Sequence, residues 1–228
     1  MKLAVARHFR VRAGTDLQTS RIGIAIAILA SFAGPVGAAC NMTTADNTWH
    51  EGLDINDESS ETKGQIQLVE QYHFTQDVES LRSGSSAPIP GDLEYTLNSV
   101  PNHYRALASY ATWEIKNPQL GRLRPRTAEC YFKRAIGFRA EDPQLRLLFG
   151  TFLHRSRRLT EARAEYELAN TMGSSSAELF YNLGLLELDL GNIEAAREHA
   201  VRAYAMGYPL PGLRNKLDRL KNPQTSGR

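Results

Sequence analysis

A chain of 228 residues with a formal net charge of +2 has room for one sizeable domain or a short array of small units. Positions 1–39 carry five basic side chains against Asp16, a net of +4, which leaves the rest of the chain near −2. The mildly basic balance therefore belongs to the leader and is excluded as an argument for a nucleic-acid partner.

That leader runs in the order basic, apolar, small. Lys2, Arg7, Arg10, Arg12 and Arg21 precede an uncharged apolar run from Ile22 to Phe32, which Pro35 breaks before Gly37, Ala38 and Ala39. This is the layout of a secretory signal peptide, and the run is shorter than the roughly 20 residues that span a bilayer comfortably. Residues 1–39 are expected to be a signal peptide; the alternative is a retained anchor helix, with membrane association through the N-terminus. Cys40 follows directly, and Cys130 is the second cysteine. Three fates are open to Cys40. A bridge to Cys130 suits an exported chain with an even cysteine count. Lipid attachment would resemble a bacterial lipoprotein signal, although Gly37 stands where such signals carry leucine. A free thiol is the third.

Residues 40–62 read as a flexible acidic arm. Asp46, Glu51, Asp54, Asp57, Glu58 and Glu61 stand there with no lysine or arginine and few large apolar groups, too few to offset the entropy of ordering. In residues 63–100 the pattern turns helical from Gln65, with Ile66, Val69 and Tyr72 or His73 on one face. Thr75 can cap a short turn through Val78 and Leu81, a Ser/Gly/Pro run from Ser83 to Gly91 reads as a loop, and Asp92 can cap a helix carrying Leu93, Leu97 and Val100.

Residues 101–142 open with Pro101-Asn102-His103 before a helix carrying Tyr104, Leu107, Ala108, Ala111 and Ile115, which Asn117-Pro118 stops. Gln119 to Arg126 is basic and irregular, and Thr127 can cap a helix with Ala128, Phe132, Ala135 and Ile136. Residues 143–176 and 177–210 then match each other. Gly150 falls over Gly184, Leu159 over Ile193, Ala162 over Ala196, Ala169 over Ala203 and Gly173 over Gly207, each at one constant offset (184 − 150 = 34). Ala128, Phe132 and Ala135 precede Ala162, Tyr166 and Ala169 by the same offset. A fixed period of that length signals stacked helical hairpins, none of which covers its own apolar face. Residues 211–228 hold Leu213, Leu217 and Leu220 on one side of a short amphipathic helix suited to closing the array, then a loose tail.

These residues resemble the tetratricopeptide repeat family. Phe180-Tyr181-Asn182-Leu183-Gly184, Gly191-Asn192, Ala196, Ala200, Ala203 and Pro209 look like one full copy. The copy from Pro143 has Arg146 at the aromatic position, and the copy from Tyr104 carries a short insertion between its helices. Leu93 to Pro101 looks like the second half of a degenerate copy, so the resemblance covers about 90–215. It implies an inner wall of first helices that binds a peptide or helix. The family's wall positions fall on Arg105, Ser109, Thr112 and Lys116 in one unit. They fall on Leu147, Leu148, Thr151 and Arg155 in the next, and on Tyr181, Asn182, Leu185 and Asp189 in the last. Asn182 matches a residue with which some members grip a peptide C-terminus, but the basic residues that complete that clamp are not at the matching positions.

Chemical motifs are sparse. No Gly-rich phosphate loop of recognised spacing and no Cys-x-x-Cys occurs after the leader, and the histidines stand at no metal-ligand interval from one another or from a cysteine. His73, near Glu70 and Asp77, is the best metal or acid–base candidate; Ser85 and Ser86 lie in a loop without an adjacent base. Arg122, Arg124 and Arg126 in one loop and Arg155, Arg157 and Arg158 in the next turn suggest a basic rim for an acidic partner, a lipid headgroup or a cell-wall polymer.

The expectation is an all-α, tetratricopeptide-like solenoid of stacked hairpins with a C-terminal capping helix, with no cofactor, metal or catalytic role. The expected function is a protein–protein interaction adaptor or scaffold of the bacterial envelope, exported to the periplasm or held at the envelope, with a protein or peptide partner. One alternative is a Cys40-anchored lipoprotein assisting a pilus, secretion or outer-membrane assembly. The other is a cell-wall hydrolase, which needs a histidine, a carboxylate and a nucleophile gathered in one cleft.

Overall fold

The computed structural model describes residue 40 and residues 51–221. The leader, and with it the signal-peptide and anchor readings, lies outside the described residues, as do 41–50 and the tail from 222. Among the described residues the regular structure is helical throughout: α1 (Ser60–His73), α2 (Gln76–Glu79), α3 (Ile89–Ser99), α4 (Tyr104–Lys116), α5 (Pro118–Gly121), α6 (Ala128–Phe138), α7 (Pro143–Arg155), α8 (Leu159–Thr171), α9 (Ala177–Asp189), α10 (Ile193–Ala205) and α11 (Gly212–Lys221).

Side-chain caps start the first helices. Asp142 accepts from the Gln144 N–H ahead of α7, with Pro143 at the first helical position, and Ser176 accepts from the Leu179 N–H ahead of α9. Each satisfies an N–H that the helix itself leaves unpaired. Thr75 and Thr127 do the same for α2 and α6. The second helices α8 and α10 have no side-chain cap. Their entry is set by the end of the helix before. The Arg158 N–H returns to the Leu153 carbonyl and the Asn192 N–H to the Glu187 carbonyl, with the intervening residue left-handed. That residue is Gly191 at φ 83° in one unit and Arg157 at φ 63° in the other.

The helices stack as hairpins. α7 packs along α8 and α9 along α10, while α8 lies against α9. The first helices also touch in a row, α4 on α7 and α7 on α9, and α6 bridges α4 and α7. The small residues of the period sit at the closest approaches: Ala128, Ala162 and Ala196 are buried, as are Ala135, Ala169 and Ala203. A Cβ on Gly150 would stand 2.6 Å from the Tyr166 ring. The last unit has Ala200 where Tyr166 stands, and the side chain nearest Gly184 is instead Leu213 from α11. The capping helix thus closes the array by supplying volume that the repeat itself lacks.

The N-terminal part departs from expectation in three ways. The arm is not loose over its described part. The Leu53 N–H donates to the Ser99 carbonyl at 2.8 Å, the Ile55 N–H to Asn102 at 3.1 Å, and buried Asp54 accepts from Asn102 at 2.6 Å and pairs with Arg139. Burial raises the Asp54 carboxyl, but hydrogen bonds from Asn56, Asn102 and Arg139 outweigh it and hold it below the usual range. Second, α1 starts at Ser60, capped by Ser59. Third, Asp92 is not a cap: α3 begins at Ile89, and the buried Asp92 carboxylate in its first turn accepts from the Ser85 and Ala87 N–H groups at 2.7 and 3.2 Å. The segment after α4, expected to be irregular, forms the single turn α5.

Candidate functional site

Because first helices form a contiguous row, their outward residues make one wall across α4, α7 and α9. The wall is laced by polar rungs between neighbouring helices. Arg155 donates to Thr112 at 2.9 Å, joining α7 to α4. Asn182 donates to Thr151 at 3.4 Å, joining α9 to α7, and Thr151 also receives the Tyr166 hydroxyl at 3.3 Å. His154 meets Asp189 at 3.2 Å, beside the Arg157–Asp189 ion pair at 2.8 Å. Burial lowers the His154 pKa despite Asp189, so this rung is neutral imidazole against carboxylate at neutral pH. Half-buried Leu148 and Leu185 provide an apolar floor between the rungs, and Lys116 is exposed at one edge.

Four of the wall positions inferred from the resemblance are withdrawn or engaged. Leu147 is fully buried and belongs to the core. Ser109 is buried beneath α2 and donates to the Glu79 carbonyl at 3.0 Å. Arg105 is exposed but forked onto Glu79, with Glu70 at 3.5 Å. Tyr181 is buried under Tyr208, ring centroids 4.2 Å apart. The N-terminal helices thus cover one end of the wall and the chain after Gly207 covers the other. Glu79, which closes the first end, carried no signal in the sequence, because its segment matches no repeat.

Part of the basic rim is taken up in local contacts. Arg124 forks onto Glu94, Arg126 donates to Asn98 at 3.0 Å, and Arg158 is shared by Glu129 and Glu161. The Arg124 and Arg158 pairs, with Arg157–Asp189, offset part of the charge that an acidic partner would need, while Arg126 and Arg155 contact neutral groups.

A histidine, a carboxylate and a serine do gather beside α1. His73 Nδ1 lies 2.9 Å from Asp92 Oδ1 and its ring stacks on Tyr95, and Ser86 lines the same cleft with Leu68, Val69 and Tyr72. The Ser86 hydroxyl, however, donates to the Tyr72 carbonyl at 2.9 Å, not to His73. The Ser85 and Ala87 N–H groups, which could steady an oxyanion, are spent on Asp92. The arrangement fastens the 83–87 loop onto α1 and lacks the nucleophile–base contact that acyl transfer needs. Among the described residues no group of three or more His, Cys, Asp and Glu side chains is placed to hold a metal ion.

Cys40 and Cys130 form a disulfide, Cα atoms 5.4 Å apart, that ties the segment before α1 to α6. A sulfur in a disulfide cannot also carry a thioether-linked lipid, so this bond competes with the lipoprotein reading.

Compared with family models and with curated proteins, the chain matches none. Among solved structures it is similar to one titled functional characterization of Pseudomonas aeruginosa pilF, at 19% identity and a TM-score of 0.49. That similarity covers 69% of this chain and 66% of the other, just under two thirds of its length. At that level it supports no conclusion about function, and the hairpin stacking rests on the contacts described above.

Proposed function

We propose that this chain is an exported adaptor that holds a peptide or helix of a partner protein against the wall of α4, α7 and α9. The observation that carries the reading is the wall's composition. Thr112, Leu148, Thr151, Asn182 and Leu185 remain partly open to solvent, and the polar groups among them are oriented by hydrogen bonds between helices. A preorganised mixture of apolar floor and oriented polar groups lowers the ordering cost of binding an extended or helical chain. The resemblance to tetratricopeptide repeats supports the same choice of face. Export to an oxidising compartment is part of the proposal, supported by the leader's layout and the Cys40–Cys130 bond.

Photo-crosslinking groups placed at Lys116 and Asn182, with a control at Glu167 on α8, test the proposal in envelope extracts. The expected result is one shared adduct from the two wall positions and none from Glu167. Equal labelling from all three positions would remove the wall as the binding face.

A further inference from the structure

α11 stands where the first helix of a further unit would stand. Leu145, Leu179 and Leu213 succeed one another at the repeat offset and all three are fully buried; Leu183 and Leu217 repeat the match. α7 and α9 each have a second helix packed along them, whereas among the described residues no helix follows α11. A groove of about 380 Å³ remains between α10 and α11, with Ala200, Val201 and Leu217 among its apolar lining.

Two positions of the register set this groove apart. Val201 falls where Lys133 and Glu167 stand in the earlier units, yet it is 70% exposed. Lys221 falls where Glu187 stands. Glu187 takes Arg163 of α8 at 2.7 Å, but Arg197, the equivalent of Arg163, shares its groove with a lysine. Its carboxylate contact is Glu194 of its own helix, at 3.7 Å. Arg214 adds a third basic group to the lining, over the Tyr204 ring, against Asp218. An apolar floor with a basic rim complements a helix that has an apolar stripe and acidic flanks. Residues 222–228 carry Arg228 and no acidic residue, so that segment does not supply the charge.

We infer that the α10–α11 groove binds an acidic amphipathic helix of a partner protein. Asp218 occupies the position of Gly150 and Gly184, so the guest rides farther out than the chain's own second helices, over Val201 and the rim. This suits an exchangeable guest. The site is separate from the wall of α4, α7 and α9, and either can fail without the other.

Fluorescence anisotropy on the full chain tests the assignment with two labelled synthetic helices of about 18 residues, enough to form an amphipathic face. Both carry the same leucine stripe, one with glutamate flanks and one with lysine flanks. The glutamate peptide should bind, and Val201→Glu, at an exposed position, should weaken it by about tenfold or more. Arg214→Glu with Lys221→Glu should shift preference to the lysine peptide, a reversal that loss of folding cannot produce. Equal binding of both peptides, indifference to Val201→Glu, or binding only to anionic vesicles would overturn the assignment. So would a gain in peptide affinity of about tenfold on deleting 222–228, which would make the tail the occupant, or competition by self-association, which would make it a second copy.

Discussion

His103 shows how one side chain sets the junction between the N-terminal segment and the first full hairpin. It is buried, its Nδ1 accepts the Ala106 N–H at 3.1 Å as the cap of α4, and its Nε2 lies 3.1 Å from Glu70 on α1. The cap requires an unprotonated Nδ1, so Nε2 carries the proton and donates to Glu70. Burial is the main cause of a pKa below 6.5; Glu70 opposes it and Arg105 adds to it, with Glu79 of α2 nearby. A depressed histidine pKa gives stability that is complete above the unfolded value and lost as pH falls through the folded one. The melting temperature should therefore fall as pH drops below 6.5. His103→Asn, which can still cap but cannot titrate, should give a shallower slope, with His154 and His199 supplying the remainder. An unchanged slope in the variant would deny His103 this role. Arg134 acts on the same scale. It is buried and donates to the carbonyls of Leu97 at 2.6 Å, and of Asn98 and Glu51 at 3.2 Å. Arg134→Met should cost about 1–3 kcal/mol in urea unfolding, because the buried Leu97 carbonyl loses its donor while the aliphatic volume is kept.

Between helices, the two glycines of the period look alike in sequence and differ in consequence. A Cβ on Gly150 meets the Tyr166 ring at 2.6 and 2.7 Å, and that ring is fully buried. On Gly184 it meets a terminal methyl of Leu213 at 2.5 Å, the far end of a flexible side chain. Gly150→Ala should therefore cost about 1–3 kcal/mol, as overpacking does. Gly184→Ala should cost less, because Leu213, though as buried as Tyr166, ends in methyls that a rotamer change can move, and alanine favours the helix by about 1 kcal/mol. Thermal or denaturant melts of the two variants decide it: equal costs would mean that Leu213 is as fixed as Tyr166.

For the molecule as a whole, the disulfide and the docked arm bind the start of the described chain to its middle. The bridge spans 90 residues of sequence, and a crosslink over a loop of that order restricts the unfolded chain by about 4–5 kcal/mol. Cys40→Ser with Cys130→Ser should lower the unfolding free energy by about that much while the helical circular dichroism at room temperature stays close to wild type. A loss of helical signal on reduction alone would show that the bridge is needed for the fold itself.

The constant repeat period, with its buried alanines, determined the helix pairs and their order, and the leucine stripe of α11 its closing role, although Leu220 of that stripe is exposed. Periodicity records which face of a helix is buried, and hairpin contacts are local in sequence. The caps Thr75 and Thr127 were legible because each stands just before a helical pattern. Only the tertiary structure decided what covers each face. Ser109 and Arg105 are engaged by Glu79 of α2, 30 and 26 residues away in sequence, and Tyr181 is closed over by Tyr208. Of the arginines of the expected rim, Arg124 is paired by Glu94, Arg157 by Asp189 and Arg158 by Glu129 and Glu161. Asp54 is held by Asn102 and Arg139 across 48 and 85 residues. A wall position specifies the direction of a side chain, but whether that direction ends in solvent depends on segments that share no repeat with it.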